Sequence, residues 1–125
     1  EDGIRDRSPS RGLGDVYKRQ VTMASVIIIS TFPDKKTITK IANQLVKRKI
    51  VACVNIIKIS SIYSWKENIE NQAEYMGVFK TTKKNLRLLK KELQKLHPYD
   101  VPEIAEINPS SINQSYLKWL TESTV

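Results

Sequence analysis

A chain of 125 residues, 40% hydrophobic and 27% charged, has room for one globular core and too little for two. No apolar run approaches the roughly 20 residues that span a bilayer, and no apolar segment followed by a small-residue cleavage site marks a secretory signal. A lone cysteine, Cys53, excludes an intrachain disulfide, so the expected address is the reducing cytoplasm and a membrane is not an expected partner.

In chain order, residues 1–22 come first. They hold Ser8-Pro9-Ser10, Gly12, Gly14, mixed charges and scattered apolar residues, a composition that cannot offset its own ordering entropy. They read as a leader, tag or artefactual extension, and residues 23–125 as the single domain, with Met23 placed for a native start. Ser25 to Thr31 is β-branched and apolar on both faces, which predicts a central strand. Pro33-Asp34 ends it, and Asp34 is placed to cap a helix over Lys35 to Lys49, where Ile38, Ile41, Ala42, Leu45 and Val46 recur at helical spacing. Ile50 to Ile57 predicts a second buried strand that continues, through a kink near Lys58 to Ser61, into Tyr63-Ser64-Trp65. Glu67 to Asn71 is polar and turn-like, and Ala73 to Thr82 predicts a third strand with Met76, Val78 and Lys80 on one face. Leu86, Leu89, Leu93 and Leu96 predict a second helix over Lys83 to Leu96. A short strand over Glu103 to Asn108 and a terminal helix over Gln114 to Glu122 complete the chain.

The order β-α-β-β-α-β plus a C-terminal helix predicts an α+β, ferredoxin-like split βαβ sandwich: an antiparallel four-stranded sheet with helices on one face. The strands are apolar on both sides, so the bare face calls for a cover, and self-association is the economical one. The formal charge of +8 raises the question of nucleic acid. The basic residues concentrate at Lys35, Lys36, Lys40, Lys47, Arg48 and Lys49 and again at Lys83, Lys84, Arg87, Lys90, Lys91 and Lys95. Both groups fall on helical segments with no interleaved stacking aromatics, so they read as solvated faces and nucleic acid as an unlikely partner.

The most informative stretch is His97-Pro98-Tyr99-Asp100-Val101-Pro102-Glu103. Pro98 and Pro102 each fix one φ and push the preceding residue out of the α region, so His97 ends the second helix and Tyr99 and Asp100 are held in place. This is a stiff connection and also a preorganised set of His, Tyr and Glu at the sheet edge. His97 is expected to be exposed, where it could coordinate a metal, exchange a proton or interact with the helix dipole. Cys53, within Val51-Ala52-Cys53-Val54, reads first as a small buried hydrophobe. Lys80 is an odd charge on an apolar strand face unless it has a partner. One histidine and one cysteine cannot assemble an intrachain zinc site, although an oligomer could bring copies together or set them near Glu103. With four glycines in the chain there is no glycine-rich phosphate loop, and no nucleophile-base set is evident, so the expectation is a non-enzyme with no organic cofactor.

Val51-Ala52-Cys53-Val54-Asn55, Tyr63-Ser64-Trp65-Lys66, Phe79-Lys80-Thr81-Thr82, the His97 to Glu103 link and Tyr116-Leu117-Lys118-Trp119-Leu120 together resemble the CutA family, the divalent-cation tolerance proteins, over Ala24 to Glu122. The resemblance implies a ferredoxin-like subunit in a tight homotrimer, with the long hairpin reaching onto a neighbour. It implies a function in binding or responding to divalent metal ions such as Cu2+, with His97 as the metal residue. Ser30 stands where copper-binding members tend to carry Cys, and Leu96 where they tend to carry a second His. The architecture also resembles the trimeric nitrogen-regulatory proteins, which implies an alternative: a metabolite-sensing signalling trimer with no physiological metal. A cleft lined by Lys80, His97, Tyr99 and Glu103, with Tyr63, Trp65 and Cys53, would suit a small anionic ligand as well as a metal.

Overall fold

Four strands form the centre of the domain because β-branched, apolar segments alternate with amphipathic ones in the order the ferredoxin-like fold requires. The computed structural model describes residues 24–125, so the proposed extension over residues 1–22 lies outside the described residues. The elements are β1 (Ser25–Phe32), α1 (Lys35–Lys47), β2 (Cys53–Trp65), β3 (Asn68–Thr82), α2 (Leu86–Leu96), β4 (Ala105–Ile107) and α3 (Gln114–Glu122). A 3-10 turn, Lys83–Asn85, leads into α2. The sheet is antiparallel with strand order β2-β3-β1-β4, the pattern expected of a split βαβ unit. Among the described residues, no helix is long and apolar enough to cross a membrane.

The core lies between one sheet face and helices α1 and α2. Ile28 and Phe32 of β1, Phe79 of β3, Ile38 and Leu45 of α1, and Leu89 and Leu93 of α2 are fully buried in one cluster. Gly77 lets α1 approach: a Cβ there would lie 2.7 Å from Ile38 Cδ1 and 2.7 Å from the Phe79 ring. Helix α1 starts as its sequence dictates, with the Asp34 carboxylate accepting from the Thr37 N–H at 2.7 Å. It ends two residues before the expected Lys49, because Lys49 takes the left-handed conformation (φ 59°). Its N–H then donates to Val46 O at 2.9 Å and Ile50 N–H to Leu45 O at 3.0 Å, the paired bonds of a Schellman cap. This cap absorbs Ile50 and Val51, which are buried at the helix end rather than in the second strand. Glu92 of α2 accepts from Arg48 at 2.7 Å and ties the two helices together at that end.

Strand β2 is a continuous run of 13 residues without the expected kink. Its turn is tighter than the expected polar stretch: Lys66 and Glu67, both at positive φ (51° and 67°), make the whole connection, and Glu70 and Asn71 belong to β3. Strand β1 ends at Phe32 opposite Tyr75, so residues beyond that row form a two-stranded ribbon that overhangs the sheet. Strand β4 is shorter than expected, three residues against the Glu103 to Asn108 forecast, while α3 matches its forecast range.

The second sheet face carries Ile27 and Ile29 of β1, Ile57 and Ile59 of β2, and Met76 and Val78 of β3, neighbours by register. Helix α3 covers only the end of this face near Lys80, with Leu120 buried and the Tyr116 ring 5.9 Å from Lys80 Nζ. On this face Ile57 and Trp65 stay 48% and 51% exposed, and on the other face of the ribbon Ile62 and Ile69 stay 70% and 74% exposed.

Candidate functional site

The His97 to Glu103 link leaves α2 as the two prolines dictate. His97 is extended (φ −70°, ψ 136°) and its N–H closes the helix onto Leu93 O at 2.9 Å. The side chain is buried, 8% exposed, which corrects the expected exposure. Phe32 supplies the cause: its ring stacks on the imidazole at a centroid distance of 4.4 Å, and Tyr99 packs at 5.1 Å on another side. The Tyr99 N–H donates to Nδ1 at 3.1 Å, so the ring proton sits on Nε2 and is donated to Thr31 O at 2.9 Å, with Ser30 Oγ at 3.1 Å. Burial pushes the imidazole pKa below its ordinary value, against the opposing pull of the Thr31 carbonyl and the Glu74 charge. The ring is neutral and both nitrogens are engaged. Coordination of a cation would require it to give up one of these bonds.

Beyond His97 the link crosses the end of β1 to the other sheet face. There the Tyr99 hydroxyl donates to Glu74 Oε2 at 2.7 Å. Glu74 is only 8% exposed, and burial followed by this hydrogen bond drives the phenol pKa well above its ordinary value. Around the pair opens a cavity of about 510 Å³ whose walls include the aromatic rings of Tyr63, Trp65 and Tyr99. Four carboxylates line it, those of Glu70, Glu74, Asp100 and Glu103, and among the described residues no Lys or Arg does. The β2–β3 register explains the grouping, because it places Tyr63 opposite Glu70 and Trp65 opposite Asn68 on the face that also presents Glu74.

The sequence reading placed Tyr63, Trp65, Tyr99 and Glu103 in one cleft, and these four share the cavity. His97 stands behind it, joined through Tyr99. Lys80 and Cys53 do not reach it. They are direct cross-strand partners at the other end of the same face, and along β3 Lys80 lies about 20 Å from Glu74. Cys53 is half-buried and carries a free thiol 4.0 Å from Asn55 Oδ1, so it is less enclosed than its apolar run suggests. Glu70, Glu74 and Asp100 escaped the sequence reading. Glu74 lies inside the strand predicted over Ala73 to Thr82, at even spacing before Met76, Val78 and Lys80, so that alternation already put it on their face. Among the described residues no three His, Cys, Asp or Glu side chains converge tightly enough to hold a metal ion by themselves.

Comparison with known proteins bears on the fold and the family. The sequence profile of the family described as CutA1 divalent ion tolerance protein matches residues 26–123. The divalent-cation tolerance protein CutA of Pyrococcus horikoshii is 37% identical over 99 residues, which cover 79% of this chain and 97% of that protein. Its namesake from Thermotoga maritima is 35% identical over 100 residues, covering 80% and 99%. Among solved structures, CutA1 from Pyrococcus horikoshii superposes with a TM-score of 0.78 at 37% identity over 80% of this chain and 98% of that one. CutA1 from Ehrlichia chaffeensis gives 0.79 at 31% identity over 82% and 96%. The profile runs from the second residue of β1 to beyond the end of α3, and the superposition reproduces the arrangement of these elements, so this chain belongs to the CutA family of divalent-cation tolerance proteins.

Proposed function

We propose that the protein is a non-enzymatic homotrimer that binds divalent cations at the acidic, aromatic-walled cavity on the open face of its sheet. One observation carries this reading: four carboxylates line that cavity, with no basic side chain beside them among the described residues. A cation entering there meets uncompensated negative charge, whereas a small anion would be repelled. Because no three donors converge among the described residues of one subunit, the carboxylates would hold the ion together with water or with donors from a second copy. Oxygen donors of this kind suit hard cations such as Mg2+ or Mn2+, and the soft or imidazole donors that select copper are not offered here, since the Cys53 thiol lies elsewhere and His97 is hydrogen-bonded at both nitrogens. The same engagement of the chain's one histidine speaks against general-base chemistry and supports a binding role. Self-association is supported by the overhanging ribbon, because an isolated two-stranded hairpin with exposed Ile62, Trp65 and Ile69 needs a surface to pack on.

Calorimetric titration with Mg(II), Zn(II) and Cu(II) tests the cation site. Glu70→Gln and Glu103→Gln should each weaken binding about tenfold, the effect of losing one charge-assisted contact. Affinities unchanged by both, or lowered only by His97→Ala, would move the ion to the imidazole and defeat the carboxylate site. Light scattering should return three times the subunit mass at micromolar concentration, and a monomer mass would remove the trimer.

A further inference from the structure

Most of the positive charge takes no part in the cation site, and the fold gathers it on one side of the molecule. Residues 35–49 and 83–95 hold twelve Lys or Arg and one acid, Glu92, whereas the rest of the described chain holds four basic residues and eight acids. The sequence reads the two basic groups as separate solvated faces. In the structure both helices pack on the same sheet face and their ends are tied. Arg48 meets Glu92 at 2.7 Å, and Asn85 at the head of α2 donates to Lys49 O at 3.4 Å. The two faces therefore form one layer. Opposite the buried Ile38, Ile41 and Leu45 of α1 stand Lys36, Lys40 and Lys47, and opposite Leu89 and Leu93 of α2 stand Arg87, Lys91 and Lys95. All six are exposed, and among the described residues none lies within salt-bridge distance of a carboxylate.

A helix face that meets only water mixes its charges, and Glu-Lys pairs at i, i+4 support it. Here Lys36 and Lys40, Arg87 and Lys91, and Lys91 and Lys95 repeat one sign at that spacing, while Glu92 is buried against Arg48. Lys35, Lys36, Lys83 and Lys84 also stand at the entries to α1 and α2, with no acid in either first turn, where the helix dipole disfavours cations. Each placement destabilises the folded domain by itself. A bound polyanion would offset all of them at once.

We propose that this helix layer is a docking surface for the phosphate backbone of double-stranded DNA, bound without regard to base sequence. The residue types select the partner. No aromatic side chain occurs in α1 or α2, so there is no platform for the unstacked bases of a single strand. The outward residues are cationic donors apart from Asn43 and Gln94, so the 2′-hydroxyls that mark an RNA duplex find few acceptors. A membrane surface would call for an apolar anchor beside the lysines, and Val46 and Leu88, the exposed apolar side chains of these helices, are themselves more than half covered. Helix α1 is about 20 Å long and packed helices lie about 10 Å apart, so the two stripes span about six base pairs and reach phosphates on both sides of a groove. The layer lies on the sheet face opposite the one that self-association covers, so it is accessible in a monomer and in a trimer alike. It uses no residue of the acidic cavity and does not depend on the cation reading.

The test follows the fluorescence anisotropy of a labelled DNA duplex of mixed sequence, titrated with the full chain at several KCl concentrations. Contact with about five phosphates should give a slope of log affinity against log salt of about −4.5, a loss of about 500-fold between about 50 and 200 mM. Arg87→Gln with Lys91→Gln should make that slope shallower by about 2. Lys58→Gln with Lys118→Gln makes the same change in net charge away from the layer and should leave slope and affinity as in the parent. The first pair also removes like-charge repulsion, so its thermal midpoint should not fall, which separates lost contacts from lost folding. No binding in the lowest salt, or a slope reduced equally by the two pairs, would overturn the assignment. So would tighter binding to single-stranded poly(dT), to duplex RNA, or to vesicles of phosphatidylserine and phosphatidylcholine in equal parts than to duplex DNA.

Discussion

Replacing Tyr99 by Phe removes a single oxygen and leaves the ring in place against His97. That oxygen donates to Glu74 Oε2 at 2.7 Å, within the short range of hydrogen bonds to a charged acceptor. Glu74 is 8% exposed, so in the variant a nearly buried carboxylate loses its strongest local donor. Hydrogen bonds to charged groups contribute about 1.5–3 kcal/mol. The carboxylate also faces a cavity open to water, which can replace part of the lost bond, and the lower end, about 1.5 kcal/mol, is therefore expected. Urea unfolding at one fixed protein concentration should show this as a lower midpoint with an unchanged slope. A double-mutant cycle with Glu74→Gln should return a coupling of about 1 kcal/mol or more. The pH profile adds an independent signature. The folded phenol titrates above its ordinary value of 10.0, so from pH 10 upward the unfolded chain releases this proton while the folded chain keeps it. The contribution is complete below pH 10 and is lost as pH rises further, a decline that Tyr99→Phe should remove. Tyr99→Phe within about 0.5 kcal/mol of the parent, or strictly additive with Glu74→Gln, would refute the pairing as a source of stability.

His97 predicts the opposite end of the pH scale. Its folded pKa lies below the ordinary 6.5, so as pH falls beneath 6.5 the unfolded chain takes up the proton first and stability drops until the folded pKa is passed. Unfolding midpoints between pH 5 and 8 should show this slope, and its persistence in His97→Gln would assign it to other groups. At the hairpin, Lys66 and Glu67 both occupy positive φ, where Asn-Gly is preferred. Lys66→Asn with Glu67→Gly should raise stability by about 1 kcal/mol in thermal unfolding, and no gain would show that the turn is not strained.

Much of the fold is legible from periodicity because periodicity is a local property. Ile38, Ile41, Ala42 and Leu45 are spaced for one helix face and are the residues that α1 buries. The forecast of α3 over Gln114 to Glu122 matches its range. The link between Pro98 and Pro102 is equally local, since proline restricts its own φ and its neighbour's conformation whatever surrounds it.

The ribbon was not legible. Glu70, Asn71 and Gln72 have the composition of a turn, yet they are strand because Tyr63, Ile62 and Ser61 pair with them across a two-residue connection that lacks glycine. Nor could spacing show that His97 is buried, because Phe32, Ser30 and Thr31, which enclose it, come from the far end of β1. The candidate cleft divided for the same reason. Sequence could nominate Tyr63, Trp65, Lys80, Tyr99 and Glu103 as residues of one chemical kind of place, but strand register sets which of them meet. Register placed Glu70 and Glu74 beside the tyrosines and left Lys80 about 20 Å away under α3. The sequence by itself therefore determined the elements, the stiff link and the family. Tertiary structure decided that the link carries a neutral buried imidazole on one side and an acidic cavity on the other, because contacts between distant segments follow from pairing and packing across the sheet.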